Sequence, residues 1–523
     1  MTANPHQRIP ASSEPLARGV IEFLGGPRGR FAGVRRTQWW TPLRAIIAVG
    51  WVFLACGFLS KANCAGGTRG DDGVISLNWA GNRQYTSFCY NDIIPLYGGR
   101  GLDEGGFPYA YSWQEGDLTR YMEYPVLAGL FQGLMGWIAR NTYSLVEWAG
   151  IPEAGWYFGL TALVMACIWV GVLYMVYLLV GNRTWDTILV AASPLVIIHA
   201  FSNWDIPSIA FAVGALLAAA RKHPAVAGVL IGLGTSFKLW PLFLLGAFLV
   251  LAVRNRRWPQ FFYALLAAAV TWIVVNAPVA LKYPEAWREF FRLNQERGAE
   301  WTTIYSVLSR NTGISFSPEF LNTFSLVAFL ALCAAIAVLG LRSARTPRMA
   351  ELVYLIVAAF LLFNKVWSPQ YSLWLLVPAA LALPRWRLVF SWALVDALVW
   401  PLLMWHMLGT DNKGIPHELL DVAIVSRDAL IIAMAVLVIR QMCGKTPDKV
   451  RDLLFLVAQR KHGIKCSPGA NSKVHNLSML RAKAVLRALA NAIENKACRR
   501  RPKMPNALTN CHVGGGHPPR AGE

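Results

Sequence analysis

The sequence predicts an all-α protein, a polytopic bundle of transmembrane helices. Of its 523 residues, 55% are hydrophobic and 15% are charged, whereas an ordinary soluble domain has about 25% charged residues. The apolar runs have the length of helices and lack the short alternating segments of a membrane β-barrel. Basic clusters separate the runs, as is usual for the cytoplasmic loops of a membrane protein.

The chain is expected to have three parts. Residues 1–42 form a cytoplasmic N-terminal segment, residues 43–440 a transmembrane domain, and residues 441–523 a basic cytoplasmic tail. The N-terminal segment has no adequate apolar core, so the first span, at 43–60, is itself the membrane signal. A disordered tail is the favoured interpretation. An amphipathic helix at 474–495, lying on anionic lipid, is the alternative.

The apolar runs after the first span predict the other helices. These runs lie at residues 125–139, 156–181, 187–201, 206–220, 224–237, 239–253, 259–281, 323–341, 350–364, 369–384, 388–406 and 420–439. We expect about 12 crossings in all, with the run 125–139 re-entrant or strongly tilted. Several runs are shorter than the ~20 residues of a straight span. That shortness indicates broken helices that line a cavity.

The basic clusters predict the orientation of the chain. They are Arg221-Lys222-His223, Arg254 to Arg257, Arg342 to Arg348, and Arg385 with Arg387. The positive-inside rule places them in the cytoplasm with the N-terminus, which makes residues 61–120 a large external loop. The polar segments 202–205, 282–322 and 364–370 then share the outer face with Lys238. This convergence predicts one active site at the outer leaflet of the plasma membrane.

Charge and motifs limit the partners and cofactors. The net charge of +21 is assigned to cytoplasmic loops and the tail, because no nucleic-acid-binding module accompanies it. Membrane lipids are expected partners, and nucleic acid is not. No Walker loop, GxGxxG or HExxH motif occurs, and the histidines do not cluster. We therefore expect no cofactor.

Two of the nine cysteines, Cys64 and Cys89, share the first loop. If that loop is external, an oxidising environment would allow a disulfide between them. Two free thiols are the equally open alternative.

The first loop also holds the candidate catalytic residue, Asp92. A carboxylate beside Tyr90 and Tyr97 can act as a general base toward a sugar hydroxyl, or it can be a solvated loop residue. The pair Asp71-Asp72 competes less well, because its glycine-rich flanks predict a mobile turn. Glu123 precedes the proline that starts a helix, so it either binds substrate or favours that helix N-terminus.

Three further candidates interrupt apolar segments. Lys238 lies within an apolar run, where a lysine either binds a ligand such as a lipid phosphate or extends to the interface. Asn203 and Asp205 connect two apolar helices, and Asp205 either functions in the site or caps the second helix.

Two segments farther along the chain have competing interpretations. A polar collar with an aromatic belt, which serves either the site or interfacial anchoring, is formed by Asn364, Lys365, Trp367, Gln370 and Tyr371. In the 282–322 loop, Arg288 and Arg292 have helical spacing, as do Glu289 and Glu296. A solvated amphipathic helix is favoured there over a phosphate clamp.

Four stretches of the sequence have an order and spacing typical of one family. They are Cys89-Tyr90-Asn91-Asp92-Ile93 with Pro95-Leu96-Tyr97, Glu123-Tyr124-Pro125-Val126-Leu127, Gly232-Leu233-Gly234-Thr235-Ser236-Phe237-Lys238-Leu239-Trp240-Pro241, and Asn364-Lys365-Val366-Trp367-Ser368-Pro369-Gln370-Tyr371 through Trp374 and Pro378. Together they resemble glycosyltransferase family 87, the polyprenol-phosphate-mannose-dependent mannosyltransferases of actinobacteria, which have the GT-C fold. Val126 departs from the second proline of that family's helix start.

The resemblance implies a membrane glycosyltransferase that uses a polyprenyl-phosphate-linked sugar as donor and a lipid or glycan of the cell envelope as acceptor. Asp92 would be the base, and Lys238 would hold the donor phosphate. Tyr90, Tyr97 and Trp367 would stack on sugar faces. An arabinofuranosyltransferase is the nearest enzymatic alternative. A transporter or flippase of lipid-linked saccharides is the main rival, and a scaffold in envelope assembly is a third interpretation.

Overall fold

The structure, a computed structural model, describes residues 15–24, 39–71 and 73–451. Most of the predicted N-terminal segment, almost all of the predicted tail, and Asp72 lie outside the described residues. The two interpretations of the tail therefore stay predictions.

The N-terminal part consists of one apolar helix followed by a long segment of short elements. In chain order these elements are α1 (Pro15–Phe23), α2 (Pro42–Ala62), β1 (Gly67–Arg69), β2 (Ile75–Leu77), α3 (Arg83–Thr86), α4 (Pro95–Gly99), β3 (Ser112–Glu115) and β4 (Leu118–Tyr121). Single 3-10 turns lie at Ala80–Asn82 and Pro108–Ala110. β1 pairs with β2 and β3 with β4, both antiparallel.

The middle of the chain is helical. Its elements are α5 (Val126–Thr142), α6 (Glu153–Val180), α7 (Ile188–Ala191), α8 (Pro194–His199), α9 (Ile206–Ala220), α10 (Pro224–Phe237), α11 (Leu244–Asn255) and α12 (Trp258–Lys282). Four 3-10 segments accompany them, at Tyr143–Leu145, Glu147–Ala149, Gly181–Thr187 and Trp240–Phe243. The helices predicted at 206–220 and 224–237 are confirmed.

The remainder of the described chain is also helical. Its elements are α13 (Pro284–Glu296), α14 (Ile304–Thr312), α15 (Pro318–Arg342), α16 (Met349–Phe363), α17 (Ser372–Ala382), α18 (Trp386–Met407) and α19 (His417–Met442), with 3-10 turns at Pro369–Tyr371 and Thr410–Asn412. The amphipathic helix favoured for the 282–322 loop is α13. All four arginines of that loop are in ion pairs, Arg288 with Glu285, Arg292 with Glu289, Arg297 with Glu300 and Arg310 with Asp421.

Within the described residues, six helices are long and apolar enough to cross a membrane. They are Pro42–Ala62, Glu153–Ala191, Trp258–Lys282, Pro318–Arg342, Trp386–Met407 and His417–Met442. Four shorter apolar helices accompany them, at Ile206–Ala220, Pro224–Phe237, Trp240–Asn255 and Met349–Phe363. These findings support an all-α membrane protein. The count of about 12 crossings and the GT-C fold stay predictions.

Some predicted spans are interrupted. The run 187–201 is not one helix, because Pro194 has no backbone N–H and starts a new helix after Ala191. Ser193 caps that helix by accepting a hydrogen bond from the backbone N–H of Leu195 at 3.3 Å. The runs 239–253 and 369–384 each begin with a 3-10 turn.

Helices α10 and α12 pack unusually closely because α10 carries two glycines one turn apart. A Cβ on Gly228 would lie 2.2 Å from the carbonyl oxygen of Ala264, and one on Gly232 would lie 2.6 Å from that of Ala268. Neither position can hold a larger residue without a shift of the backbone. This small-residue spacing brings membrane helices into close contact and fixes the C-terminal end of α10, where Lys238 follows.

Burial separates central helices from peripheral ones. Every residue of α17 is buried, whereas α15 has three buried residues out of 25. An apolar helix that exposes most of its side chains in a membrane protein faces lipid. The center of the molecule is therefore formed by helices such as α17, with α15 at the periphery.

Candidate active site

The Asp92 segment is tied to the helical domain at three points. A disulfide joins Cys64, just after α2, to Cys89, with the two Cα atoms 5.5 Å apart, which confirms the disulfide alternative. The backbone N–H of Asp92 donates to the carbonyl of Ser202 at 2.8 Å. Lys61 lies in the last turn of α2 rather than in the loop, and its ammonium is 3.2 Å from the carbonyl of Tyr90.

Asp92 is half-buried, and its carboxylate is hydrogen-bonded. Its Oδ2 accepts a hydrogen bond from Nδ2 of Asn203 at 2.7 Å, and the Tyr90 hydroxyl interacts with the carboxylate. Burial raises the pKa of Asp92, while the Asn203 bond, the Lys238 charge and the Tyr90 interaction each oppose that rise. A raised pKa makes the carboxylate a better proton acceptor than a solvated one.

Asn203 connects Asp92 to Lys238. Besides its bond to Asp92, its Nδ2 donates to the hydroxyl of Tyr124 at 3.0 Å. Its Oδ1 accepts from the Lys238 ammonium at 3.1 Å and from the backbone N–H of Trp204 at 2.7 Å. The amide therefore uses both of its ends and holds the carboxylate and the ammonium in a fixed relation.

Lys238 lies where α10 ends and the backbone becomes extended. Its ammonium is 3.7 Å from Oδ2 of Asp205, 5.1 Å from the ring center of Tyr124 and 5.9 Å from that of Tyr371. The side chain is buried beneath these rings, so it does not extend freely to the interface. An ammonium has three N–H donors, and Asn203 engages one of them.

Asp205 supports this lysine from a buried position. It occupies the N-cap position of α9, but its side chain makes no capping hydrogen bond, which disfavours the capping alternative. Its Oδ1 accepts from Nε1 of Trp374 at 2.8 Å. Among the described residues its Oδ2 has no hydrogen-bond partner, and it forms an ion pair with the Lys238 ammonium. A buried carboxylate needs such a counter-charge.

The site has an aromatic wall on one side. The ring of Trp374 stacks on Tyr371 with centers 3.9 Å apart and on Trp240 with centers 5.7 Å apart. Tyr124 meets Trp204 edge to face at 5.3 Å. Rigid rings of this kind suit the apolar faces of a sugar.

The predicted residues Asp92, Tyr90, Asn203, Asp205 and Lys238 thus come together. The structure does not bring the predicted residues Tyr97, Glu123, Lys365 and Trp367 into that cluster.

Tyr97 and Glu123 make their contacts with other parts of the protein. The Tyr97 hydroxyl donates to Glu153 at 2.8 Å, and its ring stacks on Tyr157. Glu123 accepts two hydrogen bonds from Arg100, at 2.7 and 2.6 Å. These partners already occupy the groups that were expected to bind sugar, and their roles in substrate binding stay predictions.

The collar residues have structural partners as well. The Lys365 ammonium donates to the carbonyls of Gln295 and Arg297. The guanidinium of Arg427 lies 3.5 Å from the ring center of Trp367. Gln370 is buried directly before Tyr371, whose ring center lies 5.9 Å from the Lys238 ammonium.

Sequence reasoning placed Tyr371 in the collar but gave no binding role to Tyr124 or Trp374. Tyr371 and Trp374 are three residues apart, a spacing that places two side chains on one face of a helix. That spacing was a signal. Tyr124 gave none of its own, because a tyrosine at a helix start is also an ordinary interfacial anchor.

An apolar cavity of about 280 Å³ adjoins this cluster. Tyr124 belongs to both, since its hydroxyl bonds Asn203 and its ring lines the cavity. The walls come from α5, α10, α11, α12 and α13, and the lining residues Leu239 and Leu242 are 44% and 41% exposed. Exposed apolar side chains of a membrane protein face lipid, so the cavity opens toward the membrane interior.

In residues 39–71 and 73–451, no three side chains of the types that bind metals form a group suited to a metal ion. The expectation that no metal or other cofactor is required stays a prediction.

Comparison with known protein families gives a match to the middle of the chain. Residues 124–369 match the model of glycosyltransferase family 87. The matched segment contains Tyr124, Asn203, Asp205 and Lys238, whereas Asp92 precedes it.

A curated relative agrees with this match. GPI mannosyltransferase 1 of Kluyveromyces lactis is 26% identical over 203 residues, which is 34% of this chain and 49% of the relative. The chain therefore spans about half the length of that relative. Taken together, the family match and this relative support a membrane glycosyltransferase.

Proposed function

We propose that this protein transfers a sugar, mannose, from a polyprenyl-phosphate donor to a lipid or glycan acceptor of the cell envelope, at the outer face of the plasma membrane. The observation that carries the proposal is the contact series from Asp92 through Asn203 to Lys238, beside a cavity that opens to lipid. A proton acceptor, a phosphate-binding cation and a space for an apolar chain are the three parts that this reaction needs.

Asp92 is the general base of the proposed reaction. Its carboxylate accepts the proton of an acceptor hydroxyl as that oxygen attacks the anomeric carbon of the donor sugar. Attack in line with the leaving phosphate inverts the configuration at that carbon. The bond to Asn203 fixes the orientation of the carboxylate, so that the remaining oxygen can face the acceptor.

Lys238 stabilises the leaving group. When the bond between the anomeric carbon and the phosphate oxygen breaks, the polyprenyl phosphate gains negative charge. The ammonium donors that Asn203 does not use can bond to that phosphate. Asp205, 3.7 Å away, pairs with the lysine and holds it in place.

The apolar cavity supports a prenyl chain on the donor. Its walls include Leu245, Leu265 and Phe290, while Tyr124 links it to the polar cluster. A nucleotide sugar would not use an apolar cavity that opens to lipid, whereas an isoprenoid chain gains favourable burial there.

Two features support an outward-facing site. The disulfide at Cys89 is of the kind that persists in oxidising compartments. The basic clusters 221–223 and 254–257 lie at the far ends of α9 and α11, away from Asp205 and Trp240. Positive-inside then assigns the far ends to the cytoplasm.

The test supplies membranes containing the full chain with labelled polyprenyl-phosphate mannose. Transfer of label to an endogenous lipid or glycan is the expected result. Translocation of the donor without any transfer would instead support a transporter or flippase. If neither transfer nor translocation is observed, the scaffold interpretation is favoured. The matched control is membranes containing the Asp92→Asn variant.

The donor sugar needs a separate screen. Polyprenyl-phosphate mannose and polyprenyl-phosphate arabinofuranose are offered at equal concentration, and the rates of transfer are compared. A preference for arabinofuranose would overturn the mannose assignment and would leave the glycosyltransferase class intact.

A further inference from the structure

We propose that a second cavity, at the opposite end of the α9–α12 helices, binds a phospholipid with an anionic headgroup. This cavity also has a volume of about 280 Å³. Helix α9 has 15 residues between the active-site end and this end, so about 22 Å separates them along its axis. The cavity is thus distinct from the glycosyltransferase site, and the proposal does not depend on the activity of that site.

The interior of the cavity is apolar. Phe248, Leu251, Phe261, Leu216 and Leu179 form its walls, with contributions from α6, α9, α11 and α12. Such walls exclude water and have no hydrogen bonds to offer a free inorganic anion. An acyl chain fits them, because burying each methylene contributes about 0.8 kcal/mol.

The mouth of the cavity is cationic. Lys222 and Arg257 line it together with Asn255 and Gln260, which are hydrogen-bonding side chains. Both cations are exposed. Arg221 and Arg256 are their chain neighbours, which adds to the positive charge of this end.

No acidic residue of the surrounding helices balances this charge. The whole segment from 206 to 283 contains no Asp or Glu. The described acids that follow the lining residues Leu179 and Ala350 in the chain are already paired, Asp186 with Arg183 and Glu351 with Arg348. Asp448 is paired with Arg348 and Arg451. The mouth therefore attracts an anion.

Two helix N-termini reinforce that attraction. Helices α10 and α12 begin beside Lys222 and Arg257, neither has a side-chain cap, and neither has an acid in its first turn. Their free backbone N–H groups and helix dipoles favour negative charge. The combination of basic mouth and apolar interior matches a phosphate headgroup with its acyl chain, at the membrane face where anionic lipids are expected.

The test uses the purified full chain after removal of bound lipid. Phosphatidylglycerol and phosphatidylcholine are titrated separately, and retained lipid is measured by native mass spectrometry, with the thermal unfolding midpoint as a second readout. We expect phosphatidylglycerol to bind at least about 10-fold more tightly than phosphatidylcholine, since cations near the membrane favour anionic lipid. Inorganic phosphate is the probe for a headgroup-only site, and we expect it to change neither readout.

Two variants and one control make the test specific. The double variant K222Q/R257Q should lose about 25-fold in affinity for phosphatidylglycerol, because each cation contributes about 5-fold, and its affinity for phosphatidylcholine should not change. Ala219→Leu, which fills the lining, should weaken both lipids. Arg342→Gln removes an exposed cation outside the cavity and should behave as the wild type.

Several outcomes would overturn the proposal. They are equal wild-type affinity for the two lipids, unchanged affinity in K222Q/R257Q, the same loss in R342Q as in the double variant, and stabilisation by inorganic phosphate alone. If A219L does not fold, the charge variants still decide, because their side chains are exposed and fill no space in the protein interior.

Discussion

The proposed role of Asp92 as a base rests on three neighbours rather than on its loop. Asn203 donates a hydrogen bond to the carboxylate, and Tyr90 and Lys238 both interact with it. A solvated loop aspartate would have none of these. Asp117 of the same loop is exposed to solvent, which is why the proposal assigns the base to Asp92.

Replacement of Asp92 by Asn should abolish most of the turnover without affecting the fold. The amide keeps the size of the side chain but cannot accept a proton, and general-base catalysis contributes about 10²–10⁴-fold in rate. The rate of sugar transfer and the donor affinity are measured in parallel, and donor affinity should change little.

Asp117→Asn is the control. Asp72→Asn should also be mild, although Asp72 lies outside the described residues. Near-normal turnover in D92N, with a large loss in Glu123→Gln or D72N, would refute Asp92 as the base.

Replacement of Lys238 by Ala should weaken donor binding more than it slows chemistry. The loss of a charge-assisted hydrogen bond to phosphate predicts about 10–100-fold weaker binding. Donor dissociation constants and turnover numbers separate the two effects. Because Asp205 then loses its counter-charge, the double variant Lys238→Ala with Asp205→Asn controls for instability. Equal donor affinity in wild type and K238A would refute the phosphate contact.

The pH dependence offers a test of Asn203. Asp92 acts as a base only when deprotonated, so kcat/KM should fall as the pH drops through its pKa. Burial raises that pKa, and the Asn203 hydrogen bond opposes the rise. In Asn203→Ala this opposition is lost, the pKa rises further, and the acid limb should move to higher pH. Asn141→Ala, on an exposed helix end, should leave the limb in place. A shift toward lower pH in N203A would contradict the assignment.

Among the elements, α10 determines where the active-site lysine lies. Its glycines allow close contact with α12, and its end at Phe237 releases Lys238 into an extended conformation. The 3-10 turn at Trp240–Phe243 then leads into α11. The site therefore depends on the packing of two helices that themselves carry no reacting group.

A methyl group at Gly228 should disturb this arrangement. Its Cβ would lie 2.2 Å from a backbone oxygen of α12, and overpacking of this kind typically costs about 1–3 kcal/mol. Gly228→Ala should lower the thermal unfolding midpoint and also weaken donor binding through displacement of Lys238. Gly171→Ala is the matched control, since nothing lies within 4 Å of its Cβ. A G228A variant as stable as G171A would refute the packing argument.

The elements also show what sequence could and could not predict. Helices 206–220 and 224–237 were predictable because long apolar runs end at charged clusters and prolines. The break at Pro194 and the 3-10 starts of two runs were not predictable, because apolar composition does not show which backbone N–H groups are hydrogen-bonded.

Among the site residues, Asp92 and Lys238 stood out in the sequence as charges in unusual surroundings. The bonds of Tyr97 to Glu153 and Glu123 to Arg100 join residues 56 and 23 positions apart, and no local pattern reveals such pairs.

At the scale of the whole molecule, charge and chemistry lie at opposite ends of the same helices. The active-site cluster lies where α9 begins and α10 ends, and the clusters 221–223 and 254–257 lie at the other ends of α9 and α11. A hairpin of apolar helices necessarily brings alternate connections to one face. The basic clusters can therefore set the orientation of the chain, while the charges of Asp92, Asp205 and Lys238 interact with one another at the opposite end.

This separation predicts that the loop after α2 is external and that the basic clusters are cytoplasmic. Positive residues resist translocation, so the clusters stay inside and the disulfide-bearing loop is exported. The test uses single cysteines in a variant whose other cysteines, except Cys64 and Cys89, are serine. Asp117→Cys, in the exposed turn between β3 and β4, should react with a membrane-impermeant maleimide in intact cells. Thr346→Cys, exposed between α15 and α16, should react only after permeabilisation. Reaction of D117C only after permeabilisation would reverse the orientation and would remove the outward-facing site from the proposed mechanism.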